Sequence, residues 1–182
     1  MKPIQVHALW LAQDDPKKNT AVLAAKRGDV RLHKSIRTLP KRGVILEPLC
    51  GKVFGPEDHH VLLERHGALV GLDCSWAHIE ESVASVMKQT RLEPRMLPLL
   101  LAANPVNWGK PGKLTTAEAL ATILYLIGRR EQAEDVLGAF RWGRRFFELN
   151  REPLDAYAQA RTSAELVDLQ FEFFDLDREA IS

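Results

Sequence analysis

Short apolar runs alternate with helix-length segments through the first hundred residues, and after Thr115 that alternation stops. Residues 4–12 (IQVHALWLA), 43–46 and 68–73 (ALVGLD) read as buried strands, and 96–102 as strand-like or extended. Between them, 20–27, 56–66 and 75–88 carry helical spacing; Pro56-Glu57-Asp58 opens the second and Ser75 caps the third. Strands that alternate with helices are arranged most economically as a mostly parallel sheet with both faces covered. From Thr115 the segments 116–127, 130–140, 142–149, 154–160 and 163–175 are all helical in period. The chain therefore reads as α/β over 1–95 and all-helical over 96–182. No linker, internal repeat or low-complexity tract separates the two parts.

The junction is the most distinctive stretch. Residues 101–120, LAANPVNWGKPGKLTTAEAL, place an apolar run, an Asn-Pro turn, a loop with two glycines and two prolines, and a helix start at Thr115-Thr116 with Glu118 behind it. Glycine admits close backbone approach and proline stiffens the loop. Two hydroxyls and free amide donors at a helix N-terminus suit an anionic or carboxylate-bearing ligand. A capped helix following a surface loop is the plainer reading of the same residues.

A parallel sheet binds ligands beyond the carboxyl ends of its strands. Three such ends are Asp14 to Thr20, Leu46 to Leu49, and Leu72 to Trp76. Taken singly, Thr20 and Asp73 are helix caps, Pro48 a turn and Trp76 a core residue. Taken together they form a cleft, in which Leu46, Pro48 and Trp76 offer an apolar slot for a flat ring and Asp73, Thr20 and Thr116 a few polar groups.

The formal net charge of +1 is unevenly spread. Through residue 55 there are 11 Lys and Arg against 4 Asp and Glu, and beyond it 14 against 20. Lys17, Lys18, Lys26, Arg27, Arg31, Lys34, Arg37, Lys41 and Arg42 could form a phosphate-contacting surface or simply a solvated face. The acidic stretch from Glu165 to Glu179 reads as the solvent face of a terminal helix. No apolar run reaches the ~18 residues of a membrane helix, and Asp14-Asp15 interrupt any signal-like opening, so no membrane contact and a cytoplasmic location are expected. Cys50 and Cys74 are too few for a zinc site of their own, and a metal-binding N-terminus is poorly served by them with His7. The chain has no GxGxxG, no GxxxxGKS/T and no GxSxG, which leaves dinucleotide, P-loop and nucleophile-elbow chemistry without their fingerprints.

Three segments, DDPKKNT (14–20), GLDCSWA (71–77) and RMLPLLLAANPVNWGKPGKLTTAEA (95–119), resemble the small-subunit ribosomal RNA aminocarboxypropyltransferases over most of residues 3–128. The resemblance implies transfer of a 3-amino-3-carboxypropyl group from S-adenosyl-L-methionine to a hypermodified (N1-methyl)pseudouridine during ribosome biogenesis. It further implies a SPOUT-like, trefoil-knotted α/β part, a helical C-terminal part, a cofactor site between them, and a monomer acting on small-subunit ribosomal RNA or a pre-ribosomal particle. Carried over by motif, Leu46, Pro48 and Trp76 line the adenine slot, backbone at Leu72, Leu97 and Gly112 meets the ribose, and Thr20, Asp73 and Thr116 surround the methionine end beside Thr115. Asp73 is then either the base that takes the acceptor's proton or the partner of the cofactor's ammonium. Phosphate contacts fall to Lys17, Lys18, Lys26, Arg27 and Arg31, with Arg95 at the pocket edge. Two departures from the family pattern are Gly112, where an aromatic or cysteine is common, and Asn19, where cysteine is. The rivals are an RNA methyltransferase of related fold and an RNA-binding assembly factor without turnover.

Overall fold

A computed structural model describes residues 1–177. Strands β1 (Val6–Trp10), β2 (Arg31–His33), β3 (Gly43–Leu46), β4 (Ala68–Asp73) and β5 (Glu93–Arg95) form one sheet in the order β2-β1-β4-β3-β5, every pair parallel. Helices α1 (Thr20–Arg27), α2 (His59–Leu63) and α3 (Ile79–Met87) connect the strands. Then α4 (Thr116–Leu126), α5 (Arg130–Leu137), α6 (Gly143–Leu149), α7 (Arg151–Gln159) and α8 (Ser163–Phe173) follow without another strand among the described residues.

Alternation along each strand feeds two cores. Val6, Ala8, Val44, Leu46 and Leu69 pack with α1, α4 and the later helices, while Leu9, Ile45 and Val70 pack with Leu39, Val86 and Leu92 on the other face. Both faces are covered, as a parallel sheet requires. The larger core runs without a break from Ile4 to Leu166, so residues on both sides of position 95 share it. The register sets Trp10 beside Asp73, and Leu46 between Gly71 and Arg95, so the strands finish along one line.

The helix over 20–27 and the strands over 43–46 and 68–73 match their expected spans. Elsewhere local chemistry moves the boundaries. Strand β2 is three residues of an outer strand, RLH, too short and polar for a periodic signal. The fifth strand sits earlier than 96–102 and tolerates Pro94 because it is also an edge. The 56–66 helix is a 3-10 turn over Pro56–Asp58 followed by α2, and 75–88 is a 3-10 turn over Trp76–His78 followed by α3. Helix α7 begins at Arg151, with Pro153 in a first turn whose amides need no intrahelical partner. Of the acidic tail, Glu165 lies on α8, whereas Glu179 falls outside the described residues. No helix among the described residues is long and apolar enough to cross a membrane.

Candidate functional site

Beyond the carboxyl ends of β3, β4 and β5 lies a cleft with about 910 Å³ of space, part of it continuous with solvent. Leu46, Pro48, Leu72, Trp76, Leu97, Gly112, Thr115 and Thr116 all line it, so eight of the expected cofactor residues meet at one wall. Glu47, Cys74, Met96, Leu99, Leu114 and Ala119 also line it and were not anticipated. Trp76 is 48% exposed, which removes it from the core, and Lys113 Nζ stands 4.7 Å from its ring centroid. Gly112 has φ +70, the left-handed region that glycine occupies without strain.

Asp73 and Thr20 stand just behind this wall. Asp73 Oδ1 accepts from Thr116 Oγ1 at 2.5 Å, and Asp73 Oδ2 accepts from Asn19 Nδ2 at 2.5 Å. Asn19 therefore does two things. Its Oδ1 caps α1 by accepting from Val22 N, the task expected of Thr20, while its amide also reaches both oxygens of Asp14 at 3.0 Å. The N-cap after Asp73 falls to Ser75, which leaves the Asp73 carboxyl free of capping duty. Burial holds that carboxyl above the usual range and the nearby Asp14 adds to the rise, against the opposing pull of Thr116 and Asn19. The Cys74 thiol is pushed up to about 11 by burial, with Asp73 and Glu47 adding, so it stays neutral at physiological pH.

Close approach of α4 to β4 creates the Asp73–Thr116 contact. A Cβ on Gly71 would lie 2.8 Å from Thr116 Cγ2 and 3.3 Å from a Leu120 methyl, so glycine is what lets the helix start settle over the strand. Two of the amide donors expected at this start are in use: Ala117 N donates to Thr20 Oγ1 at 3.2 Å, and Glu118 N to Thr115 Oγ1 at 3.3 Å. An anion bound through those two amides would have to displace these partners.

The loop before Thr115 is a tied hairpin. Leu101 pairs antiparallel with Pro111, Gly109 N donates to Ala102 O at 2.7 Å, and Gly112 N to Leu100 O at 2.9 Å. Its base rests on Glu118, fully buried, whose carboxyl accepts from Ala103 N, Asn104 N, Asn104 Nδ2, Thr115 N and Thr115 Oγ1 at 2.7–3.1 Å. From the helical half, Asn150 bonds both backbone groups of Leu101 at 2.8 and 2.9 Å, Gln170 accepts from Leu99 N at 2.7 Å, and Tyr157 donates to Leu99 O at 2.9 Å. Side chains thus complete the ladder that an edge segment leaves open. Glu118 carried a sequence signal through its T-x-x-E spacing; Asn150, Tyr157 and Gln170 carried none.

The basic residues divide into two groups. Lys17 and Lys18 are exposed in the loop after β1, at the cleft end, where Lys34 also lies with its Nζ 5.6 Å from the Trp10 centroid. Lys26, Arg27 and Arg31 are exposed at the opposite end of α1, about 12 Å along the helix axis, where Arg27 pairs with Asp29 at 3.2 Å. Arg95 requires a correction. It reaches the cleft, but it is 7% exposed and its guanidinium is taken by Asp58 at 2.8 Å and Glu93 at 3.1 Å, so it has no free charge for a phosphate. Among the described residues no group of three or more His, Cys, Asp or Glu could hold a metal, and His7 Nδ1 is engaged by His33 Nε2 at 2.8 Å.

A parallel α/β sheet with a largely apolar cleft beyond its strand ends, bordered by a loop that a second helical layer holds, has the form of a small-molecule site. Comparison with known proteins gives the class its name. A family model described as "Ribosome biogenesis protein, C-terminal" matches residues 44–174. The 16S rRNA aminocarboxypropyltransferase of Methanopyrus kandleri is 46% identical over 87% of this chain and 92% of its own length. That of Methanosarcina acetivorans is 43% identical over 93% and 94%. The SAM-dependent rRNA:acp-transferase Tsr3 from Vulcanisaeta distributa superposes with a TM-score of 0.83 at 34% identity, over 96% of this chain and 90% of that one. The chain belongs to the 16S rRNA aminocarboxypropyltransferase family.

Proposed function

We propose that this protein is an enzyme that transfers the 3-amino-3-carboxypropyl group of S-adenosyl-L-methionine to a hypermodified (N1-methyl)pseudouridine of small-subunit ribosomal RNA. The observation that carries the reading is the cleft itself. It pairs an apolar slot closed by the half-exposed Trp76 ring with the Asp73–Thr116 pair one layer behind it. The donor set fits that molecule. Glu47 in the lining and Asp73 just behind it give the cleft negative character, and Arg95, the guanidinium at the cleft, is neutralised by Asp58 and Glu93, as suits a ligand carrying a sulfonium and an ammonium.

The sulfonium supplies the leaving group. Transfer forms a bond from the acceptor nitrogen to the methylene beside sulfur, breaks that carbon–sulfur bond with its electron pair passing to methylthioadenosine, and releases the nitrogen's proton. The chain's contribution is placement, which can supply several kcal/mol of the barrier. Leu46, Pro48 and Trp76 hold the adenine; backbone at Leu72, Leu97 and Gly112 faces the ribose; Thr20, Thr115, Thr116 and Asp73 surround the amino-acid arm. With its raised pKa, Asp73 is a better proton acceptor than an ordinary aspartate, and ionised it equally suits the ammonium. Phosphates of the RNA meet Lys17, Lys18, Lys26, Arg27 and Arg31.

Residues 1–95 form the RNA-facing α/β unit and 96–182 the helical unit, with the cofactor between them. The protein works as a cytoplasmic monomer away from membranes. A SPOUT-like trefoil-knotted path belongs to the same proposal; closing the ends of an experimental chain trace tests it. For the activity, carboxyl-labelled S-adenosyl-L-methionine should pass label to ribosomal RNA and methyl-labelled should not. Transfer of the methyl label instead would make the protein a methyltransferase, and transfer of neither an assembly factor.

A further inference from the structure

We propose that the tip of the hairpin between Asn104 and Lys113 is a docking platform for a single-stranded stretch of the RNA substrate, with Trp108 stacking on a nucleobase next to the acceptor. The inference rests on the RNA-modifying reading above and deepens it by naming a contact outside the cleft. Val106 is 84% exposed and Trp108 51% exposed, on a segment that is otherwise tightly tied. Asn104 Oδ1 accepts from Asn107 N at 3.0 Å, Lys110 N donates to Asn107 O at 2.9 Å, and Asn104 is itself anchored on Glu118. Trp108 is thus an exposed indole on a pre-ordered loop, and ordering it costs a partner little. Among the described residues its ring makes no stack or cation–π contact and its N–H no hydrogen bond.

Charge decides the partner. From Pro105 to Ala117 the chain carries Lys110 and Lys113 and no acidic residue, and neither lysine is in an ion pair among the described residues. Lys113 already lies over Trp76 at the cleft mouth. Trp108 is four residues from the cleft-lining Gly112, at most about 14 Å of chain. Aromatic rings interleaved with unpaired cations beside a catalytic cleft suit a polyanion whose bases are unstacked, which single-stranded RNA is and a protein surface is not. A base held there would keep the neighbouring acceptor from re-stacking away from the cleft.

The test compares Trp108→Ala and Trp108→Phe with the wild type, using deproteinised small-subunit ribosomal RNA from cells lacking this gene. Trp108→Ala should weaken RNA binding, read in equilibrium titrations, by roughly 5- to 150-fold, with S-adenosyl-L-methionine affinity and melting temperature unchanged. Trp108→Phe should restore most of the loss. Equal RNA affinity in the wild type and Trp108→Ala overturns the proposal, as does a Phe variant no better than Ala. Loss of binding to the pre-ribosomal particle alone, with naked RNA bound normally, makes the tip a protein contact and also overturns it. Binding is measured without turnover, so a wild type that binds RNA through Trp108 yet transfers no labelled group would refute the activity and leave the platform standing.

Discussion

Glu118 and Asp73 are both carboxyl-bearing side chains set where α4 meets the sheet, and their surroundings separate a group that builds from a group that acts. Glu118 is fully buried and saturated by five donors from both ends of the 103–115 loop. Asp73 is half-buried, takes one donor on each oxygen, and carries a raised pKa because burial outweighs those bonds. Saturation yields stability without reactivity. Partial satisfaction yields a group that can still take a proton or a cation, at some expense to the fold.

Four substitutions put this contrast to the test. Removing the builder should have the largest effect: Glu118→Ala strands several buried donors and should lower unfolding free energy by about 3 kcal/mol or more, seen in chemical denaturation. Cofactor affinity should fall with it because the hairpin loses its base. Removing the actor should do the reverse. Asp73→Asn should cut turnover about 100-fold, roughly 2.7 kcal/mol, with no loss of melting temperature at neutral pH.

The pH dependence carries the sign. A carboxyl whose folded pKa is raised adds most to stability when protonated, below its unfolded value near 3.9, and that contribution is lost as pH rises through the folded value. Relative to wild type, Asp73→Asn should therefore gain stability between about pH 4 and neutrality. The acid limb of kcat/KM, which in the wild type should lie above the ordinary carboxylate range, should disappear from the variant.

Third in size, Trp76→Ala should weaken S-adenosyl-L-methionine binding by about 1–3 kcal/mol in calorimetry, with little change in stability because the ring is half in solvent. Smallest, Asn19→Ala should cost about 1 kcal/mol of stability through the lost α1 cap. It should also raise the acid limb further, since one of the two donors holding Asp73 down is gone. An unchanged limb would mean that Asn19 only caps.

How much of this could be read from sequence depended on the range of the interactions involved. Strands β3 and β4 and helix α1 were readable because their apolar spacing is local, and the Thr115/Glu118 pair because a capping box has fixed spacing. The slot residues Leu46, Pro48 and Trp76 followed from the rule that parallel sheets bind beyond their strand ends. Contacts spanning tens of residues were not readable. Asn19 reaches Asp73 across 54 positions, and Asn150 pairs with Leu101 across 49. Arg95 was misjudged for the same reason: its partner Asp58, 37 positions away, turns an apparent phosphate contact into a buried ion pair. The specific chemistry came from motif resemblance, since three strand ends and a threonine pair define a pocket and not a reaction.

The most direct test of the central claim is a crystal structure of the protein with S-adenosyl-L-methionine bound. Adenine should lie against Trp76 between Leu46 and Pro48, with the amino-acid arm running to Asp73 and Thr116 and the methylene open toward the cleft mouth. Adenine bound away from Trp76, or the methyl group facing the mouth with the arm turned from Asp73, would contradict the account.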